Sequence, residues 1–86
     1  MNLAQSIEQR LAALEAESIE LTDESSLHLG HAGWKPGGSH FSVRIVSTRF
    51  SGKDKVARHR MVYAALGALM QDVHALAIHA LAPDEL

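Results

Sequence analysis

Residues 73–81 read Val73-His74-Ala75-Leu76-Ala77-Ile78-His79-Ala80-Leu81, and Pro83 follows two positions later. Nine residues with only two polar side chains form a β-strand that is too apolar to lie at a sheet edge with both faces wet. Proline closes it, because it brings no N–H to a ladder. In the preceding twenty residues the period is helical, with Val62, Leu66, Leu69 and Met70 as a buried stripe. We expect that helical region to be broken near residue 57, with Gly52 as the turn before it. Further back the period is two: Phe41, Val43 and Ile45 face one way, His40, Ser42 and Arg44 the other. Strand, long helical connection and strand describe a crossover to a parallel neighbour.

Upstream, Ile19 and Leu21 alternate with Glu20 and Thr22, which makes residues 18–23 a half-buried strand. The first helix shows Leu3, Ile7, Leu11 and Leu14 on one face, and Asn2 with Gln5 three residues on forms a capping box. Between the first two strands, residues 25–39 hold Gly30, Gly33, Pro36, Gly37 and Gly38 and no periodicity. They read as one long flexible loop, of a length often tied to function. The first two strands can pair antiparallel around it. With strands two and three parallel, His40 and His74 then start at the same end of the sheet as loop residues His28 and His31. On its strand His74 shares a face with Leu76 and Ile78, which points it toward the core at the sheet end, while His79 lies on the opposite face.

The chain has 86 residues, room for a single domain spanning 1–86. It contains no cysteine, so neither a disulfide nor a thiolate ligand is available, and with 5% aromatic residues aliphatic side chains must fill the core. Its apolar runs stop short of the roughly 20 residues a membrane span needs. The start, Met-Asn-Leu-Ala-Gln, lacks the basic residues and apolar block of a secretory signal, and a cytoplasmic location with no membrane contact is expected. The net charge of −2 hides an asymmetry. Glu8, Glu15, Glu17, Glu20, Asp23 and Glu24 stand against Arg10 in residues 1–24, whereas Arg44, Arg49, Lys53, Lys55, Arg58 and Arg60 stand against Asp54 in residues 44–60. The whole-chain charge argues against bulk nucleic-acid affinity, and its distribution leaves room for a local basic face.

Several linked motifs are similar to those of the BolA family: Ser39-His40-Phe41, Val46-Ser47 with Phe50 and Gly52, Arg58-His59-Arg60, Val73-His74-Ala75-Leu76 and Pro83-Asp84-Glu85. The resemblance covers nearly the whole chain. It implies an α/β (α+β) fold of order αββααβ, similar to class II KH domains, with a three-stranded mixed sheet and helices on one face. It also implies a monothiol glutaredoxin partner, a [2Fe-2S] cluster shared with that glutaredoxin and glutathione, and a role as a DNA-binding regulator. Residue by residue, it puts a cluster ligand at His74 and a second, variable ligand, histidine or cysteine, in the 25–39 loop. With no cysteine present, that ligand is His31, with His28 as the alternative. Two histidines cannot close a four-ligand zinc site, but they can complete a cluster whose remaining thiolates come from a partner.

Lys53, Lys55, Arg58 and Arg60 are the second candidate surface, for DNA phosphate or the acidic groups of a partner. No aromatic residue interleaves with them for base stacking. Gly30-His31-Ala32-Gly33 matches the nucleotide-clamping GXXG of KH domains in letters, but that loop joins two helices and this one joins two strands. Ser39 and His40 are neighbours on a strand and point to opposite faces. With no nucleophile motif, phosphate-cradling loop or small-molecule site, the expectation is a non-enzymatic binding protein: a cluster-sharing adaptor in iron-sulfur trafficking or iron regulation, or alternatively a DNA-binding transcriptional regulator acting through residues 53–60.

Overall fold

The computed structural model describes residues 2–24 and 40–86. The loop 25–39, and with it His28, His31 and the Gly30–Gly33 tetrapeptide, lies outside the described residues. Helix α1 covers Leu3–Leu11 and α2 covers Lys55–Leu66; the strands are β1 (Ser18–Asp23), β2 (His40–Val46) and β3 (Ala75–Leu81). The Asn2 side chain accepts the Gln5 N–H at 2.8 Å, and the Gln5 side chain accepts the Asn2 N–H at 3.1 Å. Two of the donors orphaned at the start of α1 are satisfied in this way. Ile7, Leu11 and Leu14 of its apolar face are buried.

The sheet order is β1-β2-β3. β1 runs antiparallel to β2, with Ile19 opposite Ile45 and Leu21 opposite Val43. β2 and β3 are parallel, with His40 opposite Ala75, Phe41 opposite Leu76 and Val43 opposite Ile78. The expected crossover is therefore present. Because side chains alternate along each strand, this register gathers Ile19, Leu21, Phe41, Val43, Ile45, Leu76, Ile78 and Ala80 on one face. Phe41, Val43 and Ile45 on the central strand are buried there with Phe50, Val62 and Leu66, and the residues from β1 and β3 pack around them. Both helices contribute to this core, so they cover the same face of the sheet. β3 is an edge strand, and its apolar side chains are accommodated because one face lies against the helices.

Three sequence expectations are corrected. The helical region does not break near residue 57: the Asp54 carboxylate caps α2 by accepting the Ala57 N–H at 2.8 Å, and the helix continues to Leu66. The change comes at Gly67, whose φ of +55° lies in the left-handed region that favours glycine, and a 3₁₀ stretch Gly67–Asp72 follows. In place of two helices there is one α-helix with a 3₁₀ continuation. The third strand begins at Ala75 and not at Val73. Lastly, His74 does not point into the core. Val73 fills that position, buried within the apolar cluster, and His74 occupies a bend ahead of the strand with its side chain exposed. The alternation that would have buried His74 does not extend to a residue outside the ladder.

Candidate metal-binding end of the sheet and basic cleft

Parallel pairing places Ala75 opposite His40, which brings the residue before Ala75 beside His40 as well. The His40 and His74 rings lie with centroids 4.9 Å apart and planes tilted by 41°. Their backbones are fixed independently: His40 by its pairing with Ala75 of β3 and by its carbonyl, which accepts the Glu24 N–H at 2.7 Å, and His74 by the buried Val73 before it. β1 ends at this same end of the sheet, so segment 25–39 departs from it after Glu24 and returns to it at His40. His74 thus stands where the expectation put it along the sheet, at the end where Glu24 and His40 lie; His28 and His31 fall between those two in sequence and lie outside the described residues. Among the described residues no group of three or more potential ligating side chains comes together.

Sequence reasoning placed His40 at the same end of the sheet as His74, on the face away from the helices, but did not count it among the candidate ligands. The signal that finds it is the register: once two strands start in parallel at residues 40 and 75, position 40 is the neighbour of position 74.

The basic residues divide. The Arg58 side chain is 12% exposed. Its guanidinium donates to Glu85 through both terminal nitrogens, at 2.6 and 2.8 Å. It also donates to the Ala80 carbonyl at 3.0 Å and, through Nε, to the Lys53 carbonyl at 2.9 Å. Glu85 further accepts the Ala82 N–H at 2.8 Å. The Arg58 hydrogen bonds, reinforced by that N–H, hold the Glu85 carboxyl down at about 2, and the Glu85 hydrogen bond raises Arg58 above its ordinary value. Arg58 is a clamp joining α2, β3 and the C-terminal 3₁₀ turn Pro83–Glu85. Lys53 and Lys55 line a cleft of about 410 Å³ beside Arg58, between the start of α2 and β3, together with His59, His79 and Glu85. Arg60 is exposed and is not among the residues lining this cleft. Lys53, Lys55 and Arg58 are therefore brought together, and Arg60 is not.

A family model described as BolA-like protein matches residues 11–85. The chain belongs to the BolA family. The BolA domain of SufE1 from Arabidopsis thaliana has the same fold, with a TM-score of 0.84 and 36% identity over 100% of this chain and 98% of that one. BolA-like protein 1 of Homo sapiens is 47% identical over 72 residues, covering 83% of this chain, which spans about half (50%) of that protein's length. The DNA-binding transcriptional regulator BolA of Escherichia coli is 43% identical over 81 residues, covering 92% of this chain and 74% of that protein. These BolA relatives are named for kinship or regulation and not for a reaction. Among the described residues no helix is long and apolar enough to cross a membrane.

Proposed function

We propose that the chain is a non-enzymatic cytoplasmic adaptor that binds a monothiol glutaredoxin and shares a [2Fe-2S] cluster with it, in iron-sulfur trafficking or iron regulation. The observation that carries this reading is the exposed His74 side chain at the end of the sheet where Glu24 and His40, the described residues on either side of 25–39, also lie. An exposed imidazole is reachable by a partner, whereas a core histidine would have required the sheet end to open. The donor set fits: the chain has nitrogen ligands and no cysteine, so the glutaredoxin and glutathione must supply the thiolates. In this reading His74 is one ligand and His31, or alternatively His28, the other. Imidazole in place of thiolate on one iron gives the shared cluster a higher reduction potential. The role of the chain's own residues is to hold that imidazole still: Val73 in the core and Ala75 in the ladder fix the backbone on either side of it.

The test is to mix the chain with a cluster-loaded monothiol glutaredoxin and glutathione and record the visible spectrum. A spectrum that changes on mixing, is lost or strongly altered in His74→Ala, changes less in His31→Ala and is unchanged in His79→Ala supports the reading. Wild-type spectra from His74→Ala and His31→Ala, both folded, overturn histidine ligation.

A DNA-binding regulator is the second reading, favoured by the name of the Escherichia coli relative and by the Lys53–Lys55 side of the cleft. With Arg58 committed to Glu85, the cations available for phosphate there are Lys53 and Lys55. Affinity should then fall steeply with salt, and Lys53→Ala with Lys55→Ala should flatten that slope by about two phosphate contacts. Tight, sequence-selective binding at physiological salt would put this reading first.

A further inference from the structure

We propose that His40 and His74 form a two-imidazole site for a divalent late first-row transition-metal ion, present in this chain without any partner. A histidine nitrogen binds such an ion at about 2.0–2.1 Å, which sets the ring centre roughly 3.2 Å from the metal. Two rings on one ion then stand about 5.2 Å apart at a tetrahedral angle and about 4.5 Å apart at a right angle. The observed separation of 4.9 Å falls between these, and the 41° tilt is not the parallel arrangement of two stacked rings. Both residues sit on backbone that the fold already holds, His40 within a central strand and His74 between a core residue and an edge strand. Little backbone ordering remains to be done when the ion arrives, and a small chelate gains from such a fixed scaffold.

Two ligands leave at least two positions on the ion for water or an incoming donor, so this is an open site and not a closed structural one. With two nitrogen donors the affinity should rise from cobalt to nickel to copper and drop again at zinc. The site shares His74 with the cluster reading but goes beyond it. The cluster reading pairs His74 with a loop histidine and needs a partner's thiolates, whereas this one pairs His74 with His40 and needs neither.

The experiment is a titration of Ni²⁺ into the full chain alone, followed by calorimetry and by NMR of the six histidine rings. One ion should bind. In the wild-type protein, paramagnetic broadening should reach the His40 and His74 rings first, a readout that needs no variant. His40→Ala and His74→Ala should each weaken binding by at least about tenfold, since even a partner that only orients a metal ligand is worth that much. His79→Ala should keep it. Each variant is checked by circular dichroism. Absence of binding, broadening centred on other histidines, or a loss that follows His28→Ala with His31→Ala and not His40→Ala overturns the proposal. The two readings fail separately: a chain that takes no Ni²⁺ but gives a His74-dependent spectrum with glutaredoxin sinks this site and leaves the adaptor standing.

Discussion

The two ends of the sheet are built on opposite plans. Where β2 and β3 finish, polar groups are closed in pairs: the Ser47 N–H donates to the Leu81 carbonyl at 2.9 Å, and the Ser47 hydroxyl, fully buried, donates to the Leu14 carbonyl at 2.6 Å. Arg58 and Glu85 lock the same region, and Phe50 beneath it is inaccessible to solvent. Where β2 and β3 begin, two imidazoles lie beside each other with their planes tilted by 41°, and one of them is exposed. Buried polar groups must be paired, so the first end holds the fold. At the second end the exposed His74 side chain can be exchanged without opening the core, although Val73 beside it belongs to that core. The stabilising contacts and the proposed metal site thus lie about one strand length apart, and the contrast can be tested residue by residue.

The largest loss of stability should come from the closed end. Phe50→Ala removes an aromatic ring with no exposed surface and should cost about 3–5 kcal/mol, read as a lower denaturant midpoint. A cost below about 1 kcal/mol would mean that this end is loosely packed and that the contrast is false.

Ser47→Ala comes next. It leaves the Leu14 carbonyl without its side-chain donor in a buried setting, and it removes the hydroxyl that accepts the Arg49 N–H at 3.1 Å. We expect a loss of about 1–3 kcal/mol in equilibrium unfolding.

The Arg58–Glu85 clamp should show itself through acid. Glu85 has its folded value lowered from the ordinary 4.5 to about 2. When folding depresses a carboxyl, its stabilising contribution is complete above the unfolded value and is lost as pH falls through the folded one. Wild type should therefore exceed Glu85→Gln in melting temperature at pH 5 and above, and the gap should close between pH 4.5 and 2. A gap that stays constant across this window would show that Glu85 acts through packing and not through its charge.

Much of this arrangement was legible in the sequence. The capping box at Asn2 and Gln5, the period-two strands and the parallel crossover depend on local spacing, and they predicted the end of the sheet at which His74 lies. What was missed depends on distant or three-dimensional relations. The apolar spacing of Val62, Leu66, Leu69 and Met70 runs across Gly67 as though the helix continued, so the pattern hid the break there. Asp54 three residues before Ala57 was a readable cap, and it argues against a break at 57. Arg58 and Glu85 are 27 residues apart, and no local pattern joins them, so a clamp looked like one more member of a basic run. His74 was assigned to the core because alternation was counted from Val73, two residues before the ladder begins.

The smallest effect on stability should come from the open end, and there the comparison is most exposed to failure. His74 lies outside the β3 ladder with its side chain in solvent, and the apolar position beside it belongs to Val73. Removing its imidazole opens no cavity in the apolar core, so His74→Ala should cost less than about 1 kcal/mol in unfolding, the range of a single exposed polar or ring contact. Val73→Ala, one residue away, is the matching control. It removes two methyl groups from the core and should cost on the order of 1–3 kcal/mol while leaving the His74 imidazole in the chain. Read together, the pair separates presentation from packing: His74→Ala should change metal and cluster binding at nearly constant stability, and Val73→Ala should do the reverse. If His74→Ala instead destabilised the chain as much as Val73→Ala, the histidine would belong to the structure. The open end would then be a second closed one.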